Sequence, residues 1–61
     1  MPSYDIRYLN EDGSLAAKVA ADLANETQAK VLAHAMKEKG MQRLEVWDGG
    51  SLIYERPRRP N

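Results

Sequence analysis

The chain has 61 residues, with nine basic and nine acidic side chains, one histidine and no cysteine. That length holds one domain, and a chain so short buries only about 60% of the surface its unfolded form exposes, so a second subunit is one way to complete its core. Lack of cysteine excludes disulfides and thiolate metal sites. The lone His34 argues against a structural zinc site, no cofactor is expected, and the charge balance argues against a dedicated nucleic-acid or membrane-surface protein.

The first element in chain order is a half-buried strand, because Tyr4, Ile6 and Tyr8 alternate with Asp5, Arg7 and Leu9. Met1-Pro2-Ser3 before it does not read as a signal peptide. No later run is apolar enough for a transmembrane helix, so a cytoplasmic location is expected. Asp12-Gly13 then marks a hairpin, read as a two-residue type I′ turn.

Residues 15–24 admit two readings. The alanines favour a helix, which would run on continuously to residue 39. A strand explains more. With Asp12-Gly13 as a two-residue turn, Tyr8 faces Ala17, Ile6 faces Val19 and Tyr4 faces Ala21, each a larger residue against a smaller apolar one on a single face.

A helix is predicted from Glu26 to Lys39. Asn25 caps it with Gln28 as capping-box partner, Glu26 and the late lysines suit the macrodipole, and Gly40 stands at C′. Ala29, Leu32, Ala33 and Met36 form its apolar stripe, with Lys30, His34 and Lys37 assigned to the opposite side. A second hairpin joins residues 42–48 to residues 51–56 through Gly49-Gly50, and Pro57 ends the last strand. The expected fold is α+β, in the order β-β-α-β-β, with one helix on a four-stranded, largely antiparallel sheet. Residues 1–56 make a single domain, and residues 57–61 a basic Pro/Arg tail expected to be disordered.

Catalytic signals are sparse. There is no glycine-rich phosphate loop, and the single histidine has no triad around it. His34 reads as a solvated side chain, with Glu38 one turn on as its partner. Asp12 and Asp48 read as turn residues. A non-enzyme is therefore expected. The basic end has one candidate role, weak phosphate contact by Arg56, Arg58 and Arg59, set against the overall expectation that nucleic acid is not the partner.

The second hairpin carries the main functional expectation. With a two-residue Gly49-Gly50 turn, Val46 faces Ile53, with Leu44 on the same side. The other face then holds Trp47, Leu52 and Tyr54, rimmed by Arg7, Arg43 and Glu45 if the two hairpins are adjacent. One helix covers one face only, so Trp47, Leu52, Tyr54 and Arg43 are expected to form an apolar and aromatic contact surface for a protein partner or for self-association as a homodimer.

Tyr4-Asp5-Ile6-Arg7-Tyr8, Asp12-Gly13 and the closing Leu44-Glu45-Val46-Trp47-Asp48-Gly49-Gly50-Ser51-Leu52-Ile53-Tyr54-Glu55 together resemble a class of short bacterial proteins of unknown function. These share an aromatic first strand, an alanine-rich helix and a final hairpin of the same type. The resemblance implies the β-β-α-β-β order and a bacterial, cytoplasmic setting; it carries no activity and no site residues.

Overall fold

The alternation of the sequence becomes main-chain pairing in β1 (Ser3–Leu9), β2 (Leu15–Asp22), β3 (Arg43–Asp48) and β4 (Ser51–Arg56), with α1 (Glu26–Ala35) between β2 and β3. The computed structural model describes residues 2–38 and 40–58. One helix packs on a four-stranded antiparallel sheet of order β2-β1-β3-β4, an α+β fold in the order β-β-α-β-β. β1 and β3, which carry the buried side chains of the sheet, take the centre, where both edges are paired. Alanine-rich β2 and arginine-ended β4 take the edges.

The size-matching argument for β2 holds. Tyr4 lies opposite Ala21, Ile6 opposite Val19 and Tyr8 opposite Ala17. The turn that delivers this register differs from the two-residue type I′ expected. Asn10 bonds across to Ser14 and accepts from Gly13 N–H at 2.9 Å, enclosing a three-residue loop. Within this loop only Gly13 has positive φ, at 88°, the pattern of a type I turn closed by a left-handed residue. Such a loop alone shifts the register by one residue. A bulge at Ala16, between the pairs Leu9–Leu15 and Tyr8–Ala17, shifts it back.

No such cancellation occurs in the second hairpin. Asp48 pairs with Ser51 and Trp47 with Leu52 across Gly49-Gly50, but Val46 then pairs with Tyr54 rather than with Ile53. Ile53 is the extra residue of a bulge. Past it the register slips by one, and a one-residue slip sends side chains to the other face. Tyr54 thereby joins Leu44 and Val46 on the helix side, contrary to the expected placement beside Trp47. Positive φ occurs at Gly49 (61°) and not at Gly50, as in a type II′ turn.

α1 begins as the capping residues predict: Asn25 Oδ1 accepts from Gln28 N–H at 2.9 Å. The Gln28 side chain reaches back one residue further than in a capping box, accepting from Ala24 N–H at 3.1 Å. The helix ends at Ala35, with Met36 as C-cap, short of the predicted Lys39, which lies outside the described residues. Met36 N–H still donates to the Leu32 carbonyl at 3.0 Å, but Lys37 N–H turns to the His34 carbonyl at 3.4 Å. That leaves the Ala33 carbonyl without its usual helical donor, and the Tyr8 hydroxyl donates to it at 2.6 Å. Ending here also lets the chain turn back to set Gln42 N–H on the Leu9 carbonyl at 3.0 Å, where β3 must start. Gly40 lies in that return loop rather than at C′.

The core comprises Tyr4, Ile6, Tyr8, Ala29, Ala33, Leu44 and Val46, all at most 5% exposed. Two alanines on the buried side of α1 allow close approach to the sheet, and the tyrosines of β1 fill the space left over. Leu32, predicted in the stripe, is half-buried, while Met36 is 40% exposed because the helix has already ended.

Candidate functional site at the β4 edge

The four residues expected to share one contact surface are divided between two faces. Arg43 and Trp47 lie on the face without a helix, where residues of β3 alternate away from Leu44 and Val46, and Leu52 is paired to Trp47. Tyr54 lies on the helix side.

Charge dominates the helix-free face. Pairing sets Arg7 opposite Glu45 and Glu45 opposite Glu55. The Arg7 guanidinium lies 4.7 Å from the centroid of the Trp47 ring, and Trp47 Nε1 donates to Glu45 Oε1 at 3.1 Å. Arg43 binds Glu55 through Nη2 at 2.7 Å, approaches Glu45 at 3.9 Å, and donates from Nη1 to the Pro57 carbonyl at 2.8 Å. Glu45 is therefore only 6% exposed although no second layer covers it. Two facing glutamates repel, and the shared arginine offsets this with charge-assisted contacts. Trp47 is half-buried among these charged side chains, and Leu52, paired to it, is 39% exposed.

On the other side of β4 the cations converge. Lys30 and His34 are one turn apart on α1 and meet Tyr54, so they flank the apolar stripe instead of opposing it. His34 Nε2 and Tyr54 Oη are 2.6 Å apart, the histidine tautomer deciding which donates, and their rings meet edge to face at 5.7 Å. This contact takes the place of the expected pairing with Glu38. Lys30 Nζ lies 5.2 Å and Arg56 Cζ 4.2 Å from the Tyr54 ring centroid, distances at which a cation is attracted to the ring face.

These groups border an open cleft of about 400 Å³, lined by Lys30, Leu52, Ile53, Tyr54, Glu55, Arg56 and Arg58. Its one acid, Glu55, is engaged by Arg43 on the opposite face, and Lys30 is balanced by Glu26 at 3.1 Å on the exposed helix surface. Arg56 and Arg58 have no acidic partner of that kind among the described contacts. Pro57 is held by Arg43, and the rest of the expected disordered tail, Arg59, Pro60 and Asn61, lies outside the described residues.

No protein family, curated protein or solved structure matches this chain. Among the described residues no group of three His, Asp or Glu side chains is placed to hold a metal ion, and no helix is long and apolar enough to cross a membrane. Asp12 acts as the turn residue it was expected to be: Ser14 donates to its carboxylate from Oγ at 2.6 Å and from N–H at 2.9 Å, and these bonds hold its pKa below the ordinary aspartate value. Sequence reasoning missed the joining of Lys30, His34 and Tyr54. Only the bulge at Ile53 turns Tyr54 towards the helix, and nothing in the composition of β4 marks it.

Proposed function

We propose that this protein is a recognition module, not an enzyme, and that it captures an extended acidic segment of a partner protein along the outer edge of β4. The observation that carries this reading is the cleft itself: Lys30 and Arg58 line it together with five consecutive residues of a terminal strand, Arg56 among them. A terminal strand offers unpaired N–H and C=O groups, and a peptide added as a fifth strand gains main-chain hydrogen bonds while its side chains supply specificity. The arginines and the bulge at Ile53 discourage indiscriminate edge pairing; acidic side chains on the incoming strand convert that charge from barrier to attraction. Leu52 and Tyr54 keep the contact role expected of them, at this edge rather than around Trp47.

Fluorescence anisotropy with a labelled peptide alternating glutamate and valine tests the reading. Arg56→Glu and Lys30→Glu should each weaken binding roughly tenfold or more at low salt. Arg7→Gln, beside Trp47 on the other face, should leave it unchanged. Loss in Arg7→Gln alone would move the site to the helix-free face. Equal loss in all three variants would mean non-specific charge attraction and remove the proposal, and so would no binding by the parent protein.

A second reading rests on the same cations: Arg56 and Arg58, with Arg59, contact nucleic-acid phosphates. A labelled oligothymidine discriminates. Binding tighter than the acidic peptide, with log affinity falling against log salt at a slope of roughly −2 to −3, supports phosphate contact.

A further inference from the structure

The other terminal strand, β2, differs from β4 in character. It is eight residues long, and its bulge lies near its start, leaving residues 17–22 in regular pairing with β1. α1 packs on β3 and β1, so Ala17, Val19 and Ala21 on the helix side are only half-buried, while Lys18, Ala20 and Asp22 on the other face are exposed. A regular terminal strand is a template for pairing with another chain.

The residues of β2 say which chain. Pair β2 antiparallel with a second copy of itself about a two-fold axis through Ala20. Lys18 then lies directly opposite Asp22 of the partner subunit, and by symmetry Asp22 lies opposite the partner's Lys18. The same register sets Val19 beside Ala21 and Ala17 beside Leu23 across the axis. These are larger-against-smaller apolar pairs, the principle that also fixes β2 against β1. Centring the axis on Lys18 would oppose two like charges, and centring it on Val19 would set Lys18 and Asp22 against alanines. A slip of one residue would turn the second sheet over.

We propose that two copies of this chain pair through β2, centred on Ala20, in a symmetric dimer. Its sheet is continuous and both helices lie on one face. The two half-buried rows of β2 merge into an apolar floor between the helices, enlarging a core that a chain of this length can scarcely complete alone. The β4 edges lie at the far ends of the joined sheet, so this inference does not depend on how β4 is used.

Sedimentation equilibrium over a wide concentration range tests it with Lys18→Asp, Asp22→Lys and an equimolar mixture of the two. Both positions are exposed, and far-UV circular dichroism checks that each variant folds. Each single variant opposes like charges twice at the interface, so its self-association should weaken roughly ten- to thirtyfold. In the mixture one variant is acidic at both positions and the other basic at both, so opposite charges face each other twice and a heterodimer of parental affinity should form. A parent protein that stays monomeric at every concentration overturns the proposal. So do single variants that dimerise as the parent does, or folded variants whose mixture fails to associate.

Discussion

Replacing Tyr8 with phenylalanine removes one hydroxyl and little else, and the structure gives that hydroxyl a definite task. Tyr8 is 1% exposed, and its Oη donates at 2.6 Å to the Ala33 carbonyl, whose usual helical donor, Lys37 N–H, has turned to His34. The variant strands a buried acceptor at the helix end. A net hydrogen bond contributes about 0.5–1.5 kcal/mol and an unsatisfied buried group costs about 1–3, so a loss of about 1–2 kcal/mol is expected. In a domain of this size that lowers Tm by roughly 4–16 °C, measurable by circular dichroism alongside urea denaturation. The effect should also depend on pH in one direction. Burial raises the Tyr8 pKa above the ordinary tyrosine value, so on raising the pH the unfolded chain loses this proton first. The stabilisation is complete below the ordinary value and fades as pH climbs towards the raised one. The parent's advantage over Tyr8→Phe should therefore shrink in alkali. A loss below about 0.3 kcal/mol at neutral pH would refute the argument, because it would mean that water satisfies Ala33 without the tyrosine.

Three further outcomes follow from local geometry. Gly49→Ala should cost about 1–2 kcal/mol in urea denaturation because it forces a side chain into left-handed backbone, whereas Gly50→Ala should be close to neutral; equal losses would indicate a type I′ turn. Asn25→Ala should cost about 1 kcal/mol by removing the bond to Gln28 N–H, with amide exchange accelerated in the first turn of α1. Asp12 has a lowered pKa, so its contribution is present above the ordinary aspartate value and lost as pH falls through the lowered one. Asp12→Asn should accordingly flatten the acid limb of the stability curve, and an unchanged limb would show that the Ser14 contacts do not survive in solution.

How far the sequence could be read depended on whether a feature was local or relational. Alternation in β1 and the Asn25 cap write themselves in neighbouring residues, and the size match of Tyr4, Ile6 and Tyr8 to Ala21, Val19 and Ala17 resolved strand from helix for β2. Bulges leave no such trace. At Ala16 an unforeseen bulge cancelled an unforeseen third loop residue, so the register came out right for an incomplete reason. At Ile53 nothing cancelled it, and Tyr54 changed faces. With Tyr54 went the expected aromatic surface; Arg56 and Arg58, singled out from the basic end, line the cleft, but the place of Lys30 beside them left no trace in the sequence. The early end of α1 was hidden for another reason: it depends on a bond from Tyr8, 25 positions away. Trp47 looked available because Arg7 was expected at its rim, whereas the guanidinium lies against the ring itself.

Amide chemical-shift mapping of the protein titrated with the alternating glutamate–valine peptide tests the central claim most directly. Strand addition at β4 predicts the largest shifts, and slowed amide exchange, at Leu52–Arg56, with smaller shifts at Lys30 and His34 and little change across β2. Shifts centred instead on Arg7, Glu45 and Trp47, with β4 exchange unaltered, would contradict recognition at the β4 edge.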